Sequence, residues 1–274
     1  MPILTESELK NKYNLPNYHV PFLLKANELL DFRNKKVLEV GGSLPRDLVI
    51  GELQASQWVG IEQLDYWQEI QAANPTTSTQ SIQFSNYDSI GNYQILTGSI
   101  EDIPQSFYQE FDIVFSIATF EHIHKLPAAL DQMYKCLKVN GKLFSLFSPI
   151  WSAHDGHHLP NSYTENGEKF NFSNNPIPPW GHLLMRPMEI YDLLVSKFDR
   201  KFAQEVVYYI FQSNHINRYF FKDYTDVIER SKFQKKDIHP LFPMEIPNMI
   251  QEALIKKYGD QDFSHNGMLA LLHK

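Results

Sequence analysis

Short apolar segments alternate with helical segments over residues 36–147, and this alternation constrains the fold more than any other feature of the sequence. The segments that we interpret as strands are, in chain order, KVLEV, QWVGIE, YQILTGS, the first part of FDIVFSIATFEHI and KLFSLFS. The last part of FDIVFSIATFEHI is interpreted as the turn after the fourth strand. The intervening LPAALDQMYKCLK carries apolar residues at helical spacing. Strands that alternate with helices form a parallel sheet with helices on its faces, so we predict an α/β fold.

The flanking segments predict additions to this sheet. Residues 1–34 are interpreted as an N-terminal helical cap and residues 35–274 as the main domain. Two insertions are predicted within that domain, at about 148–183 and 213–264. The segments EVVYYIF and GMLALLHK are predicted to be its last two strands.

The bulk composition excludes several classes of protein. The net charge of −7 and the pI near 5.9 argue against a nucleic-acid partner, which requires a basic face. The single Cys136 rules out an intrachain disulfide framework and is typical of a reducing compartment. No segment approaches the roughly 18 apolar residues of a membrane span, and the first residues lack the apolar core of a signal peptide. We therefore expect a cytoplasmic protein without a membrane span.

The turn after the first strand, LEVGGSLPR, predicts a close approach of the backbone to a ligand. Gly41 and Gly42 permit that approach because they lack a Cβ atom. A dinucleotide fingerprint, G-x-G-x-x-G, would require glycine where the chain has Ser43 and Arg46. Glu39 adds a carboxylate before the turn. These residues favour a ligand with a neutral or positive group over a diphosphate.

Residues 35–147 resemble the class I S-adenosylmethionine-dependent methyltransferases. The segments that carry the resemblance are LEVGGS, GIEQLDYW, LTGSIEDIP and FDIVFSIATFEHIHKLPAALDQMYKCLKVNGKLF. Glu62, at the end of the second strand, follows Gly41 by 21 residues, a spacing that suits a carboxylate bound to ribose hydroxyls. The resemblance implies a Rossmann-like, doubly wound sheet, mostly parallel with an antiparallel last strand, and S-adenosyl-L-methionine as the cofactor.

The resemblance also implies a cofactor site. Glu39 and the two glycines would face the methionine part of the cofactor, and Glu62 would hold the ribose. Ser99 and the next amide would contact the adenine. The predicted cofactor-binding residues are Glu39, Gly41, Gly42, Glu62, Gln63, Ser99, Ile100, Glu101 and Ser116.

The segment WSAHDGHHLP follows the fifth strand and predicts a catalytic base. Methyl transfer to an oxygen requires removal of the acceptor proton, and an imidazole can accept it, so His154, His157 and His158 are the predicted catalytic residues. A metal site, as in a metal-dependent hydrolase, is an alternative, but the spacing matches no closed zinc motif and we predict no metal ligand. A polar loop with hydrogen-bonded histidines is a further alternative.

Four residues are predicted to contact the substrate. His122 follows the fourth strand, Trp151 begins the histidine-rich loop, and His182 and Arg186 precede the next predicted helix. A bracing role for His182 and Arg186 is an open alternative. The aromatic residues of this region either form a lid that excludes water or pack the insertion.

The sequence therefore predicts an S-adenosylmethionine-dependent methyltransferase that methylates an oxygen of a small molecule or glycan. An N-methyltransferase remains an alternative. A non-catalytic binding module of the same fold is a second alternative, and it is favoured by Ser43, which stands where the family has a glycine. The sequence leaves the choice between a monomer and a homo-oligomer open.

Overall fold

A computed structural model describes residues 5–42, 44–62 and 91–274. Its α-helices are α1 (Glu6–Tyr13), α2 (His19–Leu29), α3 (Leu126–Cys136), α4 (Gly181–Leu184), α5 (Pro187–Val195), α6 (Arg200–Phe211), α7 (Phe221–Glu229) and α8 (Asn248–Tyr258). Its strands are β1 (Lys36–Val40), β2 (Gln57–Glu62), β3 (Tyr93–Thr97), β4 (Phe111–Ile117), β5 (Leu137–Phe147), β6 (Ser162–Tyr163), β7 (Lys169–Phe170), β8 (Lys235–Pro243) and β9 (His265–His273). A π-helix, Asp47–Glu52, follows β1.

Seven strands form the main sheet in the order β3-β2-β1-β4-β5-β9-β8. Strands β1 to β5 pair in parallel, and β9 pairs antiparallel with both β5 and β8. The predicted α/β fold, with a mostly parallel sheet and an antiparallel last strand, is confirmed. The strand order reverses between β1 and β4, so the edge where these two strands end is the expected place for a ligand in an open α/β sheet.

The strand predicted at EVVYYIF is wrong, because these residues belong to helix α6. Asp199 caps the helix by accepting a hydrogen bond from the Phe202 amide, at 2.8 Å. The buried residues recur at helical spacing and are Phe202, Ala203, Val206, Tyr209 and Ile210. The β-branched and aromatic residues of this segment suggested a strand, but the helical spacing of its buried residues is that of an amphipathic helix.

The strand that takes this place in the sheet is β8, which lies within the predicted insertion at about 213–264. The segments FFKDYTDVIERSKF and IPNMIQEALIKKY on either side of it predict a mostly helical insertion. The sequence of β8, KKDIHPLFP, is polar and contains two prolines. Lysine and proline are typical of edge strands, which must not pair with another chain. An edge strand of this kind lacks the apolar alternation that identifies half-buried strands, and the sequence prediction missed it for that reason.

Apolar residues pack on both faces of the main sheet, and a third core lies outside it. One face packs on α3 and α7, and the other on α1, α2 and the π-helix. The third core joins α5, α6 and α8 to Trp151 and Trp180 of the segment after β5. This core holds the chain beyond β5 in place beside the ligand edge of the sheet.

The helices predicted in the N-terminal cap are confirmed as α1 and α2. The sequence also predicts helices at PRDLVIGEL and PMEIYDLLVSKF, and the structure has the π-helix and α5 there. The sequence further predicts a helix at LDYWQEIQAA, residues 64–73, and a loop at 74–92, but this helix and nearly all of the loop lie outside the described residues. Within residues 5–42, 44–62 and 91–274, no helix combines the length and apolar character that crossing a bilayer requires.

Candidate functional site

The turn after β1 lies against the segment after β4. Gly41 adopts a φ of +77°, a conformation that favours glycine, and its amide donates a hydrogen bond to the Ile61 carbonyl, at 2.9 Å. A Cβ atom at Gly41 would overlap the Thr119 side chain, and one at Gly42 would overlap the Glu39 carboxylate. Both glycines are therefore required by close packing.

The Glu39 carboxylate stabilises this turn through hydrogen bonds. Its buried carboxylate accepts hydrogen bonds from the Trp58 indole nitrogen, at 2.7 Å, and from the Leu44 amide, at 3.1 Å. Burial raises the pKa of Glu39 to about 7, and the two hydrogen bonds oppose that rise. Trp58 is the partner that sequence reasoning missed, because its contact with Glu39 depends on the register of β1 and β2.

Glu39 should make the stability of the protein pH-dependent. The folded-state pKa of Glu39, about 7, lies above the ordinary value of 4.5, so the folded state binds the proton more tightly. The free energy of unfolding should therefore fall as the pH rises from about 4.5 to about 7, by about 3 kcal/mol for this group. Glu39→Gln keeps the shape of the side chain and removes the titration.

Urea unfolding of wild type and Glu39→Gln over this pH range tests the assignment. The difference between the two free energies of unfolding should decline from low to neutral pH and then stay constant. A difference that does not vary with pH would contradict it.

The other predicted cofactor residues lie at the carboxyl ends of the first four strands. Glu62 is buried at the end of β2, and the hydroxyl of the buried Ser116 donates to the Val40 carbonyl, at 2.9 Å. Ser99 hydrogen-bonds to Glu101 just after β3, and the intervening Ile100 is buried. Gln63 and Ser43 lie outside the described residues.

A compact polar group lies beyond the end of β4, and we call Glu121, His122 and His158 the ligand triad. One potential metal-ligating atom from each side chain lies within 4.8 Å of the others. Glu121 and His122 share the single 3-10 turn after β4, whereas His158 comes from the loop after β5. The ring centroids of His122 and His158 are 4.9 Å apart, and His215 lies within 5.4 Å of both.

Burial dominates the electrostatics of the ligand triad. It raises the pKa of Glu121 to about 8 and lowers that of His122 to about 4. It also lowers the pKa of His158 well below the usual range, and the neighbouring histidines add to that shift. The structure thus keeps the imidazoles neutral at pH 7.

Asn217 hydrogen-bonds the segment that carries His215 to the 3-10 turn that carries Glu121 and His122. The Asn217 amide donates to the Glu121 carbonyl, at 2.8 Å, and its side chain donates to the Phe120 carbonyl, at 2.7 Å. Tyr224 donates in turn to the Asn217 side chain, at 2.8 Å. Sequence reasoning found His122 and His158 but did not identify Glu121, His215 or Asn217, because loop packing alone brings these segments together.

The structure does not place the other predicted catalytic histidines in the triad. His157 is buried, and its Nδ1 accepts a hydrogen bond from the Leu159 amide, at 3.1 Å. His154 lies 3.3 Å from the Asp155 carboxylate and near Trp180. Their catalytic role stays a prediction, but the Leu159 bond occupies the nitrogen through which His157 would accept a proton.

The predicted substrate residues fall into different environments. His182 is buried, and its Nε2 donates to the Trp151 carbonyl, at 2.8 Å. Trp151 itself belongs to the third core. Arg186 is 80% exposed and pairs with Glu189 at the start of α5, at 2.8 Å. A bracing role suits His182 and Arg186 better than contact with a substrate.

The order of the strands in the sheet and the glycine turn at its ligand edge define the class I methyltransferase architecture. The sequence model of the methyltransferase domain family matches residues 58–145, which run from β2 to β5. This part of the chain therefore matches a methyltransferase domain, and the sheet has the fold that the sequence predicts. No curated protein matches the sequence.

Solved structures of methyltransferases are similar along most of the chain. One is an S-adenosylmethionine-dependent methyltransferase from Mesorhizobium loti, with 12% identity, 94% of this chain and 98% of that chain covered, and a TM-score of 0.47. Another, from Archaeoglobus fulgidus, has 13% identity, coverage of 97% and 98%, and a TM-score of 0.48. Phosphoethanolamine N-methyltransferase 2 of Haemonchus contortus, solved with S-adenosyl-L-methionine, has 10% identity, coverage of 98% and 55%, and a TM-score of 0.49.

Proposed function

We propose that the protein is an O-methyltransferase that acts on a hydroxyl group of a small molecule or glycan. The observation that carries this proposal is the position of the ligand triad. Glu121 and His122 follow β4 directly, two and three residues after Thr119, whose side chain packs against Gly41. An imidazole of the triad is able to accept a proton. An oxygen acceptor needs such groups because a hydroxyl must lose its proton during methyl transfer.

The cofactor residues proposed at the edge of the sheet are those that the family resemblance implies. Gly41 and Gly42 shape a turn that no larger residue can adopt, and the buried Glu62 stands where a ribose-binding carboxylate is expected. Glu39 supports this turn through Trp58 and Leu44. The residues present therefore suit S-adenosyl-L-methionine, which supplies a methyl group on a sulfonium sulfur when it is bound.

The protein's own residues contribute mainly by positioning. The Gly41 turn would position the cofactor, and the triad would position the acceptor hydroxyl. Among the predicted bases, we assign His158 to the acceptor because its Nδ1 is buried and has no hydrogen-bond partner among the described residues. His154 and His157 then serve to hold the loop that carries His158.

Methyl transfer from labelled S-adenosylmethionine to a panel of phenols, sugars and primary amines tests this proposal. We expect a methoxy product, identified by mass spectrometry. His158→Asn should lower its rate of formation at least tenfold, with little effect on cofactor affinity. His239→Gln, on the exposed edge strand β8, is the matched control.

Two results would contradict the proposal. Methylation of the amines alone would identify an N-methyltransferase instead. Binding of the cofactor without methylation of any acceptor class in the panel would favour a binding module of the same fold.

A further inference from the structure

The ligand triad has a feature that proton transfer does not explain. Glu121 is fully buried, and among the described residues the backbone amides of Glu121 and Ser148 lie near its carboxylate without hydrogen bonds of normal geometry. Buried carboxylates are normally paired with a cation or satisfied by hydrogen bonds, because an unpaired one is costly. A cation that Glu121 binds would remove this cost.

His122 is oriented in the way that metal-binding histidines are. Its Nδ1 lies 2.6 Å from the His215 carbonyl oxygen, which can only accept a hydrogen bond. The proton of the neutral ring is therefore on Nδ1, and the lone pair is on Nε2. A backbone carbonyl that fixes the tautomer in this way is typical of the outer shell of a metal site.

His158 supplies the third group. Its Nδ1 is buried without a hydrogen-bond partner in the part of the chain that the structure describes. The residue is held at a φ of +47°, and its amide donates to the Asp155 carbonyl, at 3.1 Å. A non-glycine residue in this conformation needs support from its surroundings, so the position of the ring is fixed by the loop.

We propose that Glu121, His122 and His158 bind one divalent transition-metal ion. Two imidazoles and one carboxylate form the ligand set of catalytic Zn²⁺ and of non-haem Fe²⁺ sites. The three potential ligand atoms lie within 4.8 Å of one another, so a small contraction brings them to one ion. Three protein ligands leave coordination positions open, which distinguishes a catalytic site from a closed structural site.

This inference rests on the proposed O-methylation and deepens it. An acceptor hydroxyl at an open position would be held in place, and the cation would stabilise its oxyanion. Because His158 would then be a metal ligand and no longer the base, the proton would pass to water. The bond from the methyl carbon to sulfur would break, and the bond to oxygen would form. Sulfur would keep the electron pair, so the metal would not change its oxidation state. Acceptors would then be hydroxyl compounds that can coordinate a metal.

Calorimetric titration of the chelator-treated protein with Zn²⁺ tests the site. We expect one ion per chain, with affinity at least tenfold weaker in Glu121→Gln and in His158→Asn. His239→Gln, an exposed histidine on β8, should change the affinity by less than about twofold. X-ray absorption at the zinc edge of the wild-type protein should show two imidazole ligands, a result that does not depend on any variant.

Titration of the same preparations with S-adenosylhomocysteine separates this inference from the proposed function. Cofactor binding without stoichiometric Zn²⁺ binding would overturn the metal site alone, as would a zinc-edge spectrum without imidazoles. Equal Zn²⁺ affinity in wild type and both triad variants would also overturn it. Absence of cofactor binding by the wild-type protein would instead contradict the proposed methyltransferase function.

Discussion

Replacing Glu62 with alanine is expected to weaken the binding of S-adenosylhomocysteine about a hundredfold. The carboxylate is buried at the carboxyl end of β2, on the same edge of the sheet as the Gly41 turn. There it would accept hydrogen bonds from both ribose hydroxyls. Hydrogen bonds to a charged group contribute roughly 1.5–3 kcal/mol each, and two of them account for an effect of this size.

Glu110→Ala is the matched control for this substitution. Glu110 directly precedes β4 and therefore lies at the opposite edge of the sheet, where it pairs with Lys36. An exposed ion pair of this kind contributes little, so the affinity for S-adenosylhomocysteine should change by less than about twofold. Calorimetry gives both affinities, and equal values for the two variants would show that Glu62 does not hold the ribose.

Replacing Phe115 with alanine is expected to lower the free energy of unfolding by about 3–5 kcal/mol. Phe115 lies on the central strand β4 and is fully buried. Its ring centroid lies 5.8 Å from those of Phe32 and Trp58 and 5.9 Å from that of Phe144. The substitution removes one ring from this cluster and leaves a cavity that a rigid sheet cannot close.

Denaturant unfolding measures this loss, with Tyr208→Ala as the control. Tyr208 is 46% exposed on α6, so its truncation should cost about 0.5 kcal/mol or less. Equal losses in the two variants would contradict the central position of Phe115. Because Trp58 also binds Glu39, the Phe115 variant should in addition weaken cofactor binding.

The sequence was sufficient to predict those strands and helices whose buried apolar residues follow a regular pattern. Buried parallel strands such as β4 are nearly continuous apolar runs, and α3 shows apolar residues at helical spacing. The edge strand next to β9 could not be found in this way. Strand β8 is a polar edge strand, and the aromatic helix α6 has the composition of a strand.

The candidate site was predictable only in part, for a related physical reason. Glu39, Gly41 and Glu62 lie at fixed positions relative to strand ends, so their spacing locates them. The ligand triad depends instead on the path of two loops, which bring His158 and the His215 carbonyl to His122. The sequence spacing of these three histidines does not predict that they are in contact, although each of them lies close to a predicted strand or loop boundary.

We propose above all that the edge of the sheet around Gly41 and Glu62 binds S-adenosylmethionine in a protein that methylates an acceptor. Calorimetric titration of the wild-type chain with S-adenosylhomocysteine, the product of the cofactor, is the most direct test. We expect one saturable site per chain, with binding strongly weakened in Glu62→Ala. Absence of binding at high micromolar ligand would contradict this proposal.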